Sequence, residues 1–151
     1  MANIKLIFFK EADGLIPLLS WFNKIESKQA KADCIAKMKL LAQKGHELYR
    51  PYADALRDGI RELRVKTGRV NYRLLYFFCG KNCVIISHGI IKYSKVPDKE
   101  INRAINNKKK FESNPDKHSY FETEQYYEKN EFYICHRVYL YYLIISLNCQ
   151  D

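Results

Sequence analysis

At 151 residues with a formal net charge of +9, the chain is long enough for one domain with a real core and too basic to expect a neutral partner. A hydrophobic fraction of 47% excludes disorder of the whole chain. Five irregularly spaced cysteines argue against the disulfide framework of a small secreted domain and for a reducing cytoplasm. The N-terminal stretch MANIKLIFFK has no long apolar run, so no secretory signal is expected.

The charge is unevenly spread. The first 116 residues carry 23 basic against 12 acidic side chains, and residues 117–151 carry 3 against 5. The basic part expects a polyanion, nucleic acid first and an acidic protein or anionic membrane second, against the plainer alternative of a solvated basic surface that aids solubility.

Ile4 to Phe9 is a β-branched and aromatic run that predicts a first strand. Leu15, Leu18, Leu19, Phe22 and Ile25 follow at helical spacing, with Pro17 tolerable in the first turn. Ser27 caps a second predicted helix whose buried stripe is Ile35, Met38 and Leu41 and whose stop is Gly45. His46 to Gly59 reads as a connecting loop with some local structure. Ile60–Lys66 and Asn71–Phe78 read as strands joined by a two-residue turn at Gly68-Arg69. Gly80-Lys81-Asn82 marks another turn before a strand over Val84–Ile91, and Pro97-Asp98 opens a final helix with Ile101, Ala104, Ile105 and Phe111 on one face. The order β-α-α-β-β-β-α predicts an α+β fold, with an antiparallel-rich sheet and the helices on one face.

A two-residue turn sets the register of the central hairpin. Leu63 then faces Leu74 and Val65 faces Tyr72 on the core side, while Glu62, Arg64, Lys66, Asn71 and Arg73 fall on the other. Arg64 and Arg73 lie directly across from each other. Like charges facing across a ladder are destabilising, so the pair suggests a face built to meet an anion, and the planar fork of arginine suits phosphate. The competing reading is an ordinary ion pair of one arginine with Glu62. His88 joins the charged face if Gly80-Lys81 alone forms the next turn, and the core side if the turn has three residues. A lone histidine in an apolar strand is more often packed and hydrogen-bonded than catalytic.

Cys79 and Cys83 flank the second turn, but no close second pair accompanies them, so no metal and no cofactor is expected. Trp21 reads as core. From Lys117 the character changes: this segment holds 7 of the 12 tyrosines. Its apolar run Phe132–Leu147 is short for a membrane span, and no membrane partner is expected. The division expected is therefore a domain over residues 1–116 and a C-terminal extension over residues 117–151. An added strand or helix, a partner-binding segment and an extension without a role stay open for it.

Residues Ile4 to about Phe111 resemble the RelE/ParE toxin superfamily, most closely its HigB-like branch. The resemblance rests on Gly59-Ile60-Arg61-Glu62-Leu63-Arg64, on Tyr72-Arg73-Leu74-Leu75-Tyr76, and on His88-Gly89 followed by Lys92, Lys95 and Pro97, in that order and spacing. It implies the toxin of a type II toxin–antitoxin pair, a metal-independent endoribonuclease that cuts mRNA on the ribosome in the cytoplasm. The implied antitoxin is a protein of helix-turn-helix type. ParE-like relatives share the fold and poison DNA gyrase, and fold alone does not separate the two outcomes. An inactive member is the third alternative.

For RNA cleavage by 2′-OH attack, Arg73 and Arg64 are the candidates to stabilise the phosphorane, with Arg73 matched to the family's Tyr-Arg motif. A lysine crowded by other cations gives up its proton more readily, which makes Lys92 and Lys95 candidates for proton transfer, against plain phosphate tracking. The HigB-like pattern often has a second lysine where this chain has Tyr93, which can stack on a base or offer its hydroxyl. Glu62 can orient an arginine, and Lys66 and His88 complete the supporting set.

Overall fold

The computed structural model describes residues 4–120. The strands are β1 (Lys5–Phe9), β2 (Ala53–Ala55), β3 (Arg61–Thr67), β4 (Val70–Phe78), β5 (Cys83–Lys92) and β6 (Ser119–Tyr120). The helices are α1 (Pro17–Asn23), α2 (Lys28–Lys44) and α3 (Asp98–Ser113), with a short 3-10 turn at Gly45–Glu47. The fold is α+β, and the six strands form one mixed sheet in the order β2-β3-β4-β5-β1-β6. The expected options for Phe132–Leu147 fall outside the described residues.

Local chemistry accounts for the element ends. Pro17 opens α1, where its missing N–H costs nothing. Ser27 Oγ accepts from the Ala30 N–H at 3.1 Å and caps α2. Gly45 ends that helix at φ 56°, a conformation a side chain would resist. The β3–β4 turn is Gly68-Arg69, closed by the pair Thr67↔Val70. Gly68 takes φ 59° there, as a glycine does in the first central position of a II′ turn.

The sheet and then the helices differ from the sequence reading. The loop between α2 and β3 contains β2, and β1 lies inside the sheet, parallel to β5, with β6 on its other side. Β1 is apolar on both faces, with Leu6 and Phe8 packed toward one core and Ile7 and Phe9 toward the other, as an interior strand must be.

The second difference corrects the expectation that the helices share one face. Helices α1 and α2 cover Leu63, Val65, Tyr72, Leu74, Tyr76, Val84 and Ile86. Helix α3 packs Ile101, Ala104 and Phe111 on the opposite side, against Ile7, Phe9, Ile60, Leu75, Phe77 and Ile85. The physical reason is visible in β4: Leu74-Leu75-Tyr76-Phe77 is a continuous apolar run, which marks a strand buried on both faces.

Gly89 lets Trp21 onto the sheet. A Cβ at Gly89 would lie 2.3 Å from Trp21 Cε3, and Trp21 in turn meets Tyr72 edge-on at 6.0 Å. Gly89→Ala is therefore expected to destabilise the fold by about 1–3 kcal/mol through overpacking, measured by urea unfolding. Wild-type stability in that variant would show that α1 yields freely.

Candidate functional site

Three cross-strand rows build a charged face at the end of the sheet that leads away from the Cys79–Cys83 turn. The pairings Lys66↔Asn71↔Lys92, Arg64↔Arg73↔Ile90 and Glu62↔Leu75↔His88 stack one behind another. All these side chains share the face on which α3 packs, and α3 rests on the apolar residues farther along it. The register thus brings Arg64, Arg73, Glu62, Lys66 and Lys92 together. Lys66 is exposed and Lys92 half-buried. Tyr93 and Lys95 lie past the strand end on the segment leading into α3, where Lys95 is exposed and Tyr93 is 93% exposed.

Arg64 and Arg73 face each other as the hairpin register requires, but they are not left with bare like charges. Glu62 reaches both: its Oε1 accepts from Arg64 Nε at 3.2 Å, and its Oε2 lies 3.3 Å from Arg73 Nε. The second contact is an ion pair without hydrogen-bond alignment, and Glu62 Oε2 and Arg73 Nε are both buried with no hydrogen-bond partner. Arg73 Nη1 donates to the Tyr72 carbonyl at 2.9 Å. Burial lowers the proton affinity of the Arg73 guanidinium; Glu62 opposes that effect and Arg64 adds to it.

The network continues toward the sheet edge. Arg64 Nη2 lies 3.5 Å from Asp54 Oδ2, and Arg50 Nε donates to the same oxygen at 2.8 Å. The hydrogen bond from Arg50 is the main reason the Asp54 carboxyl sits below its ordinary range. Arg50, Asp54, Arg64, Glu62 and Arg73 therefore alternate in sign across β2, β3 and β4 and leave one uncompensated positive charge, to which Lys66 and Lys92 add. Arg61, the other arginine of the same motif, points to the α2 side, where Nε donates to Tyr76 Oη at 3.2 Å and Nη2 to the Leu48 carbonyl at 3.2 Å. That role is structural.

His88 reaches the charged face by a route the sequence did not reveal. The β4–β5 turn has three residues, which by itself would send His88 to the α1/α2 side. A register shift between Leu75 and Tyr76 leaves Ser87 as an extra residue and sets His88 opposite Leu75. His88 is 1% exposed, and both ring nitrogens are engaged: Nδ1 with Ser87 Oγ at 2.8 Å and Nε2 with Glu100 Oε2 at 2.8 Å. Asn107 Nδ2 donates to Ser87 Oγ at 2.9 Å. One neutral tautomer satisfies this chain, with Asn107 donating to Ser87, Ser87 to Nδ1, and Nε2–H to Glu100. Ser87, His88 and Glu100 resemble a nucleophile triad in composition, but Ser87 is fully buried and its hydroxyl is committed.

Burial, and then the nearby Arg103, push the His88 pKa down to about 4, against the pull of Glu100. The unfolded chain, at about 6.5, binds that proton more readily. The resulting stability is complete above about pH 6.5 and is lost as the pH falls toward 4, by up to roughly 3 kcal/mol. Thermal melts from pH 7 to 4 should therefore fall more steeply for the wild type than for His88→Gln. Parallel pH profiles would remove His88 as the source.

Sequence reading missed Asp54, Ser87, Glu100 and Asn107. Only Asn107 left a signal: it stands in the apolar stripe of α3 between Ala104 and Phe111 and is 2% exposed. A polar side chain at a core position needs a buried partner. Among the described residues no three His, Cys, Asp or Glu side chains are grouped to hold a metal ion, and no helix is long and apolar enough to cross a membrane.

Fold and site together define a small α+β protein whose mixed sheet carries a guanidinium-rich, partly self-neutralised face. The family model described as "Phage derived protein Gp49-like (DUF891)" matches residues 7–109, from β1 into α3, and the chain belongs to that family. The family is associated with RelE-like toxins of toxin–antitoxin systems. No curated protein matches the chain.

Proposed function

We propose that the chain is the toxin of a type II toxin–antitoxin pair, of the HigB-like branch, acting as a ribosome-dependent endoribonuclease in the cytoplasm. In this reading residues 1–116 are the toxin domain, residues 117–151 an extension of separate role, and the partners are mRNA, the ribosome and a helix-turn-helix antitoxin. The observation that carries it is the pair of cationic rows, Lys66/Lys92 and Arg64/Arg73, with Glu62 between the two arginines. A scissile phosphate at this face competes with Glu62 for the two guanidinium groups. The neighbouring 2′-OH loses its proton and attacks phosphorus, Arg73 and Arg64 stabilise the charge of the phosphorane, and the P–O5′ bond then breaks to leave a 2′,3′-cyclic phosphate and a 5′-hydroxyl that takes up a proton, with Lys92 or Lys95 serving the proton transfers. His88 supports the face from beneath α3 rather than acting on the substrate, because its ring nitrogens are both engaged.

One observation favours a second reading. Glu62 and Asp54 already pair with the arginines, as a surface needing no free cations for chemistry would allow, and a ParE-like gyrase poison is such a protein. Primer extension on cellular messages after induction separates the two. Codon-phased cuts are expected for the nuclease. DNA damage without cuts would overturn it in favour of the gyrase poison, and neither effect would mark an inactive member.

A further inference from the structure

Cys79 and Cys83 stand on either side of the β4–β5 turn, and the nuclease chemistry has no use for their thiols. The Cys79 N–H donates to the Cys83 carbonyl at 3.0 Å, which continues the ladder one step past the pair Phe78↔Val84. The two residues therefore face each other. Facing side chains lie on the same side of a sheet. Here that is the side of α3, where Cys83 packs against the core that includes Phe77, Ile85 and Phe111. A hydrogen-bonded facing pair has its Cα atoms about 5.5 Å apart, inside the range of roughly 4.4–6.8 Å that a disulfide spans. Both thiols are free, with Cys79 exposed and Cys83 half-buried.

The surroundings give the two thiols different parts. Cys79, being exposed, is open to a dissolved reagent. Burial raises the Cys83 pKa and the nearby Cys79 raises it further, while Lys5, its partner across from β1, pulls it down. Once the Cys79 sulfur is covalently bonded its opposition ends, and the pull of Lys5 remains. A structural zinc site needs four ligands, and among the described residues no third ligand joins this pair. His46 bonds the Gly80 carbonyl at 3.1 Å, but its ring is stacked on Phe78, on the other face of the sheet.

We propose that Cys79 and Cys83 form a redox-modification site, closing reversibly to an intramolecular disulfide by exchange with a small disulfide of the glutathione class. The Cys79 thiolate attacks one sulfur of oxidised glutathione, whose S–S bond breaks to release a glutathione thiolate. The Cys83 thiolate then attacks the Cys79 sulfur of the mixed disulfide and expels the second glutathione thiolate. The cysteines lose two electrons and two protons, and the glutathione disulfide gains them as two thiols. Excess reduced glutathione reverses both steps. Exposed disulfides are the labile, regulatory ones, and cytosolic proteins form them transiently. The crosslink closes a hairpin whose far end carries Arg73 and Lys92, so it staples the strands without covering the charged face. It is independent of the nuclease reading.

The test uses the full reduced chain, equilibrated at neutral pH with reduced and oxidised glutathione in varied ratio, quenched in acid, alkylated in denaturant and digested with trypsin. Cleavage after Lys81 separates the two cysteines, so the disulfide joins peptides 74–81 and 82–92 in the mass spectrum. The joined peptides are expected to rise with the oxidised fraction and to vanish when reduced glutathione is restored, with the buried Cys34 alkylated throughout. Cys83→Ser should hold one glutathione on Cys79, whereas Cys79→Ser should leave Cys83 without any. The oxidised wild type should unfold at a higher urea concentration than the reduced one, a shift lost in Cys79→Ser. Alkylation of both thiols at every ratio overturns the site. So does glutathione that stays on Cys79 of the wild type, or a bridge from Cys79 to Cys135 or Cys149. An unshifted urea midpoint in the bridged chain overturns the staple.

Discussion

Arg73→Ala is expected to abolish growth arrest and to lower mRNA cleavage by about 10²–10³-fold, the effect of removing one well-placed donor from a developing anion. The expectation follows from its position. Arg73 lies in the middle strand of the charged rows, its side chain is 9% exposed, and its Nε faces a carboxylate oxygen without hydrogen-bond alignment. A guanidinium held this way is rigid and has donor capacity in reserve. The substitution also removes one of the two partners of Glu62, which keeps Arg64, so a stability loss of only about 1–3 kcal/mol is expected. The fold should survive and the variant remain testable. Arg73→Lys retains the charge but not the fork, and should fall between the two. A folded Arg73→Ala chain with full toxicity would remove Arg73 from the chemistry.

Glu62→Gln should have the largest effect on stability. The Glu62 side chain is 4% exposed and is the anion that both facing arginines share. Removing its charge without changing its size leaves Arg73 buried beside Arg64 with no negative charge between them. Breaking a buried pair from one side costs about 3–5 kcal/mol, and urea unfolding at neutral pH would read it. The same variant exposes what the face is built to hold. Sulfate or phosphate should restore much of the lost stability, by mass action on the folded state, at concentrations that leave the wild type unchanged. If Glu62→Gln is as stable as the wild type, the Arg64–Arg73 repulsion is relieved by solvent and the face lacks the electrostatic tension inferred for it.

These two substitutions also separate the roles of the network. Loss of Arg73 weakens chemistry more than folding, because the arginine is the group offered to the substrate. Loss of Glu62 weakens folding more than chemistry, because the carboxylate is the group that makes the offer tolerable in the free protein.

Much of the site is a consequence of strand periodicity and could be read from residue order alone. Gly68-Arg69 sets a two-residue turn, and from that turn the facing of Arg64 with Arg73, of Val65 with Tyr72 and of Leu63 with Leu74 follows by counting. The helix ends at Ser27, Gly45 and Pro97 are equally local, since a cap or a proline acts within a few residues of itself. Residue order could not show the extra residue at Ser87, because a bulge is stabilised by what lies above it. Here that is Asn107 from α3, twenty residues away. Without the bulge, a three-residue turn would have put His88 on the α1/α2 side of the sheet. Nor could it show that α3 takes the second face, or that β1 enters the sheet beside β5. Both depend on matching apolar surfaces between segments distant in the chain, and the hydrophobic effect that joins them is non-directional. The sequence by itself determined which residues of β3 and β4 line the charged face, because alternation in a strand is local geometry. Only the tertiary structure decided how that charge is balanced: Asp54 comes from β2 and Glu100 from α3, and their reach to Arg64 and His88 depends on how the elements pack.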